Sequence, residues 1–130
     1  LSEILKKRDP NVVAKSTAYL AEHARLTLSS ITVLEIVHGY RRVGREANVE
    51  SFERALADCE VLPFDDAAGR LAGRIYADIE TSGRPIGMPD VMIGAIAVRH
   101  GIVLTTGNVD HFAAIRTAGY DLRIENWRVG

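Results

Sequence analysis

The most constraining stretch of this chain is residues 83–108, "GRPIGMPDVMIGAIAVRHGIVLTTGN". Its first half reads as a helix opened by Asp90 and stopped by Gly101, and "VMIGAIAV" is apolar on every face, so it cannot lie at a surface. Its second half, "IVLTT", is a continuous apolar strand, which needs cover on both sides. An all-round apolar helix feeding such a strand requires a parallel sheet with helices on both faces, the α/β class.

The rest of the chain alternates in the same way. "RLTLSS" reads as a short strand, and "TVLEIVHGYRRV" as a helix with Val33, Ile36, Val37 and Tyr40 on one face. "NVESFERALADC" continues as helix, "EVLPF" as a strand ending at Pro63, and "DDAAGRLAGRIYADIETSG" as a long helix with Gly83 after its end. "YDLRIENW" is the expected last, edge strand. Residues 1–8 read as the remainder of a helix, and "DPNVVAKSTAYLAEH" as a second helix with Pro10 in its first turn.

At 130 residues the chain has the size of one domain, and 47% apolar residues suffice for a core, which excludes disorder. A net charge of −1 gives no basic halo for nucleic acid, although Arg41, Arg42 and Arg45 cluster, as do Arg70, Arg74 and Arg84. The single Cys59 excludes an internal disulfide framework and favours a reducing cytoplasm. No apolar run reaches membrane-spanning length. The first residue is Leu1 rather than Met, so a trimmed mature chain or a longer reading frame is expected.

In a parallel α/β sheet, strand carboxyl ends and the amino ends of the following helices share the edge where ligands bind. Glu35 follows "LTLSS", in the first turn of its helix; Asp90 opens its helix; Asn108 and Asp110 lie in the loop "TTGNVDHF" past "IVLTT". All four are expected at that edge. Each also has a plain structural reading: Thr32 to Glu35 matches a capping box, Asp90 suits a helix dipole, and Asn or Asp beside Gly is ordinary turn chemistry. Carboxylates that converge without matched lysines repel one another unless a cation sits between them, and oxygen ligands suit Mg²⁺ or Mn²⁺. Such ions activate water for phosphodiester hydrolysis.

With these residues in place the chain resembles the PIN-domain ribonucleases, in particular the VapC-type toxins of toxin-antitoxin pairs. "LSSITVLEIVHGYRR" is similar to the family's Ser-x-x-Thr-x-x-Glu helix start, with its second acid at Glu35, and "IGMPDVMIGAIAVRHG" to the helix bearing its third acid at Asp90. "VLTTGNVDHF" resembles the segment that often supplies a fourth acid, with Asn108 where many relatives have Asp. Only the tail of the family's opening strand motif is present, at Leu1, Ser2 and Glu3, so the first acid is missing from this sequence.

The resemblance implies a PIN-like three-layer α/β/α sandwich with a mostly parallel sheet, residues 1–130 forming one domain that lacks its N-terminal strand. It implies an endoribonuclease using Mg²⁺ or Mn²⁺, with Glu35 and Asp90 as metal ligands and Asn108 and Asp110 as weaker contributors. Thr32 would buttress the site and Arg84 contact phosphate, while His38 and His100 are read as surface or helix-end residues, Trp127 as a packing anchor for the last strand, and His111 is left open beside the acidic loop. The implied partners are RNA, a small antitoxin and a second copy of the chain in a homodimer, with DNA reached only through the antitoxin and no membrane. Two other readings stay open: a subunit of a DNA-binding regulatory complex, and a catalytically dead scaffold.

Overall fold

The computed structural model describes residues 3–6, 26–83 and 86–126. The helix read over residues 9–23, as well as Arg84 and Trp127, falls outside the described residues. Five strands, β1 (Glu3–Lys6), β2 (Thr27–Ser29), β3 (Glu60–Leu62), β4 (Val103–Thr106) and β5 (Arg123–Asn126), form one sheet in the order β3-β2-β1-β4-β5. The helices are α1 (Ser30–Arg42), α2 (Glu46–Ala55) with a 3₁₀ turn over Leu56–Asp58, α3 (Asp66–Ser82), α4 (Met88–His100) and α5 (Val109–Thr117).

Local chemistry accounts for most boundaries. Ser29 caps α1, its hydroxyl accepting the Thr32 N–H at 2.9 Å, and Asp65 caps α3 by accepting the Ala68 N–H at 2.9 Å. Gly83 and Gly101 end α3 and α4 at φ 74° and 63°, a left-handed backbone that a side chain disfavours. Pro89 stands in the first turn of α4, where its missing N–H costs nothing. As expected, α4 is central: Val91, Ile93, Ala95, Ile96 and Ala97 are fully shielded from solvent.

β2 pairs with β3, and β4 with β5, in parallel, which leaves β5 on the edge as expected. β1 departs from the sequence reading. Residues 3–6 form a strand rather than the end of a helix, and this strand fills the centre of the sheet antiparallel to both β2 and β4, with Lys6 opposite Val103 and Leu5 opposite Thr27. The sheet is therefore parallel only in its two outer pairs. Tertiary demand is the cause: β2 and β4 would otherwise present unpaired backbone groups in the interior, and "EILK" satisfies both while burying Leu5. A second departure is α5, since "VDHF", expected as loop, is its first turn.

The core gathers α3, α4 and α5 over the sheet, with Ile75, Ile79, Ile93, Ile96, Leu104, Phe112, Ile115 and Leu122 as its main contributors. Arg99, in the last turn of α4, grips the Asp65 carboxylate with two nitrogens, at 3.1 and 3.0 Å, and so ties the end of α4 to the start of α3. The amino end of α4 is thereby set by packing on one side and by this clamp at its far end.

Candidate active site at the amino ends of two helices

Asp90 is the third residue of α4. Gly87 precedes the helix with extended backbone, and its carbonyl accepts both the Asp90 and Val91 N–H groups, so the turn leading into α4 is closed without help from a side chain. The Asp90 carboxylate is therefore not spent on capping. Its side chain is 18% exposed, and one oxygen, Oδ2, lies 2.7 Å from His111 Nδ1. Burial pushes the Asp90 carboxyl above its ordinary value, while the facing imidazole works in the opposite direction.

His111 holds the equivalent place in α5, third in the helix after the cap residue Asn108. Thr106, buried at the end of β4, accepts the Asn108 N–H at 2.9 Å and fixes the turn between strand and helix. Phe112 is fully buried beside it, its ring edge-on to that of His111, and this anchors the first turn of α5 with His111 directed at Asp90. The Asn108 side-chain nitrogen lies 3.3 Å from His111 Nδ1. Asp110 is exposed, and no hydrogen bond or ion pair to its side chain occurs among the described residues.

Glu35 sits differently from the sequence reading. The helix starts at Ser30, so Glu35 is in the second turn of α1, and no acid occupies the first. The capping role goes to Ser29, whose hydroxyl also lies 3.0 Å from that of Thr32; Thr32 is buried beneath the helix start and supports it as expected of a cap neighbour. Glu35 is half-buried and lines a cleft of about 460 Å³ together with Leu28, Ile36, Tyr40 and Phe52. Among the described residues no three His, Cys, Asp or Glu side chains stand close enough to hold one metal ion. The structure thus brings together Asp90, His111 and Asn108, while Asp110 is exposed in the first turn of α5 and Glu35 lines the cleft along α1. His38 and His100 lie exposed or at a helix end, as expected.

A divalent ion would meet a single carboxylate among the described residues here, that of Asp90. A desolvated carboxylate with its second oxygen uncommitted among the described residues is a group that a cation would relieve. Mg²⁺-type ions are commonly held by only one or two carboxylates, with water and substrate oxygens completing the shell. The described residues supply one such carboxylate and one imidazole rather than a closed cage. No helix among them is long and apolar enough to cross a membrane.

Comparison with known proteins bears on these features directly. Residues 1–117 match the family described as PIN domain. A tRNA(fMet)-specific endonuclease VapC of Salmonella typhimurium is 33% identical over 105 residues, covering 80% of this chain and 76% of its own. VapC ribonuclease Y4jK of Sinorhizobium fredii is 35% identical, covering 98% and 92%. Among solved structures, DNA-bound VapBC from Salmonella typhimurium superposes with a TM-score of 0.72 at 30% identity, over 91% of this chain and 86% of that one. VapBC-1 from nontypeable Haemophilus influenzae gives 0.71 at 25% identity, over 91% of both chains. The α/β fold, the Asp90 helix and the agreement along nearly the whole chain lead to one conclusion: the chain belongs to the PIN-domain family, among its VapC-type members.

Proposed function

We propose that this protein is an endoribonuclease that hydrolyses RNA phosphodiester bonds with the help of a divalent metal ion, Mg²⁺ or Mn²⁺. The observation that carries the reading is Asp90: a largely buried carboxylate, not used for capping, at the amino end of the central helix of a PIN domain. Asp90 and Glu35 would hold the ion, directly or through water, with Asn108 and Asp110 orienting water nearby. When bound, the metal supplies positive charge for the phosphate and lowers the pKa of an attacking water. The protein's own part is to exclude bulk water around Asp90 through α4 and to fix His111 and Asn108 on the opposite wall through α5.

Relatives whose names describe them as ribonucleases or a tRNA-specific endonuclease support RNA as the substrate class. The VapBC complexes among the structural relatives support a small antitoxin as partner, and a homodimer of this chain belongs to the same proposal. Contact with DNA would come through the antitoxin. Asp90→Asn keeps the side chain's shape and removes its charge, so it should abolish metal-dependent cleavage of RNA in the absence of antitoxin while leaving the circular dichroism spectrum unchanged. Retained cleavage in Asp90→Asn would refute the assignment.

A further inference from the structure

We infer that Met88 receives an unpaired base of the substrate RNA, beside the phosphate that lies at Asp90, and thereby directs the site to single-stranded RNA. The inference rests on the RNA-cleaving reading above and names the form of RNA and a residue that meets it. Met88 is the first residue of α4, two before Asp90, and its exposure is 47%. Four large apolar side chains stand in the open among the described residues: Leu34, Val43, Val61 and Met88. Val43 closes the far end of α1 and Val61 lies on the edge strand β3, whereas Met88 stands on the same helical turn as the candidate catalytic carboxylate.

The neighbours of Met88 hold it in the open. Ile86 before it and Val91 after it are buried, Gly87 enters the helix with extended backbone, and Pro89 fixes the next φ, so the backbone that carries Met88 is anchored on both sides. Residues two apart on a helix stand about 5.5 Å apart at their Cα atoms and point about 200° apart. Asp90 turns toward His111 of α5, so Met88 emerges on the other side of the same helix end. A strand crossing that end with a phosphate near Asp90 brings the adjoining base against Met88. Ile86 to Pro89 carry no charge, and the amino end of α4 favours the strand's phosphates, so the surroundings suit an anionic backbone with an apolar base face. Within a double helix the base faces are covered by stacking; only an unpaired base can offer its face to a side chain. The unbranched, polarisable thioether of methionine adapts to any such ring.

The test is fluorescence anisotropy of the full, antitoxin-free chain with a short labelled oligoadenylate and with an abasic ribose-phosphate oligomer of the same length, both in chelator to prevent cleavage. Met88→Ala should weaken oligoadenylate binding about fivefold and leave the abasic oligomer unaffected. Met88→Phe, which offers a flat ring, should bind oligoadenylate at least as tightly as the parent. Val43→Ala, at an equally open apolar position away from the site, should match the parent on both oligomers. Equal losses on the two oligomers in Met88→Ala, a Met88→Phe protein as weak as Met88→Ala, or a like loss in Val43→Ala would overturn the role of Met88. So would a Met88→Ala protein with unchanged RNA affinity and a shifted monomer-dimer equilibrium, which would assign the side chain to contact with a second copy. In each of these cases cleavage of RNA by the parent leaves the function reading standing. If the parent neither binds nor cleaves RNA, that reading falls and the role of Met88 with it.

Discussion

Gly94 is the position at which a single added methyl group should be felt in the candidate site. It lies in the middle of α4, and a Cβ built there would overlap Cδ1 of Ile115 from α5, with Leu122 Cδ2 at 3.9 Å. Ile115 and Leu122 are 0% and 1% exposed, so the displaced methyl has no empty space to enter. Two effects compete in Gly94→Ala. Alanine in place of glycine inside a helix is worth about 0.5–1 kcal/mol of stability. Overpacking a filled core costs about 1–3 kcal/mol. Overlap with the tip of one side chain, rather than with backbone, places the cost near the middle of that range, and the net is a destabilisation of about 1 kcal/mol. For 130 residues, an unfolding entropy of about 2.1 cal/mol/K per residue converts this to a fall in Tm of about 4 °C. Urea unfolding with an unchanged slope would measure it, and the double variant Gly94→Ala with Ile115→Val, which deletes Cδ1, should be at least as stable as Ile115→Val alone. Because α5 also carries His111, the single variant should further weaken whatever depends on the Asp90 to His111 spacing. A Gly94→Ala protein stabilised by about 1 kcal/mol, as at an exposed helical site, would refute the close approach of α4 and α5.

Ser29→Ala removes both the cap of α1 and the buried hydroxyl partner of Thr32, and should cost about 1–2 kcal/mol in urea unfolding. The Arg99 guanidinium and then the Ala68 N–H hold the Asp65 carboxyl below its ordinary value, so their stabilisation is complete above the unfolded value near 3.8 and is lost as pH falls through the lower folded value. Arg99→Gln should accordingly destabilise at neutral pH, by an amount that shrinks on acidification; a deficit independent of pH would count against the clamp. Asp90 runs the other way: burial raises its folded pKa, so its ionisation lowers stability as pH rises from the ordinary value through the raised one. Without divalent metal, Asp90→Asn should be at least as stable as the parent at neutral pH and lose that advantage in acid, and a sharp loss of stability at neutral pH would instead favour a helix-dipole role for Asp90.

The sequence by itself determined the parts governed by short-range chemistry. "VMIGAIAV" has no polar face, so α4 had to be central; Gly101 could end it, and "IVLTT" could only be an interior strand. Asp90 was legible for the same reason, since a charge at the start of a buried helix stands out against its surroundings. Only the tertiary structure decided the rest. "EILK" joined the sheet because two neighbouring strands needed a partner between them, a demand that no local pattern in residues 1–8 records. Glu35 moved out of the first turn because Ser29, not Thr32, caps α1, and a start shifted by three residues carries every later side chain further along and around the helix. At the turn after β4, Asn108, Asp110 and His111 are near neighbours in sequence and any of them could have faced Asp90. Once α5 begins at Val109, successive side chains are turned by about 100°, and burial of Phe112 and Ile115 fixes the phase. That phase directs Asp110 to solvent and brings His111 to the carboxylate.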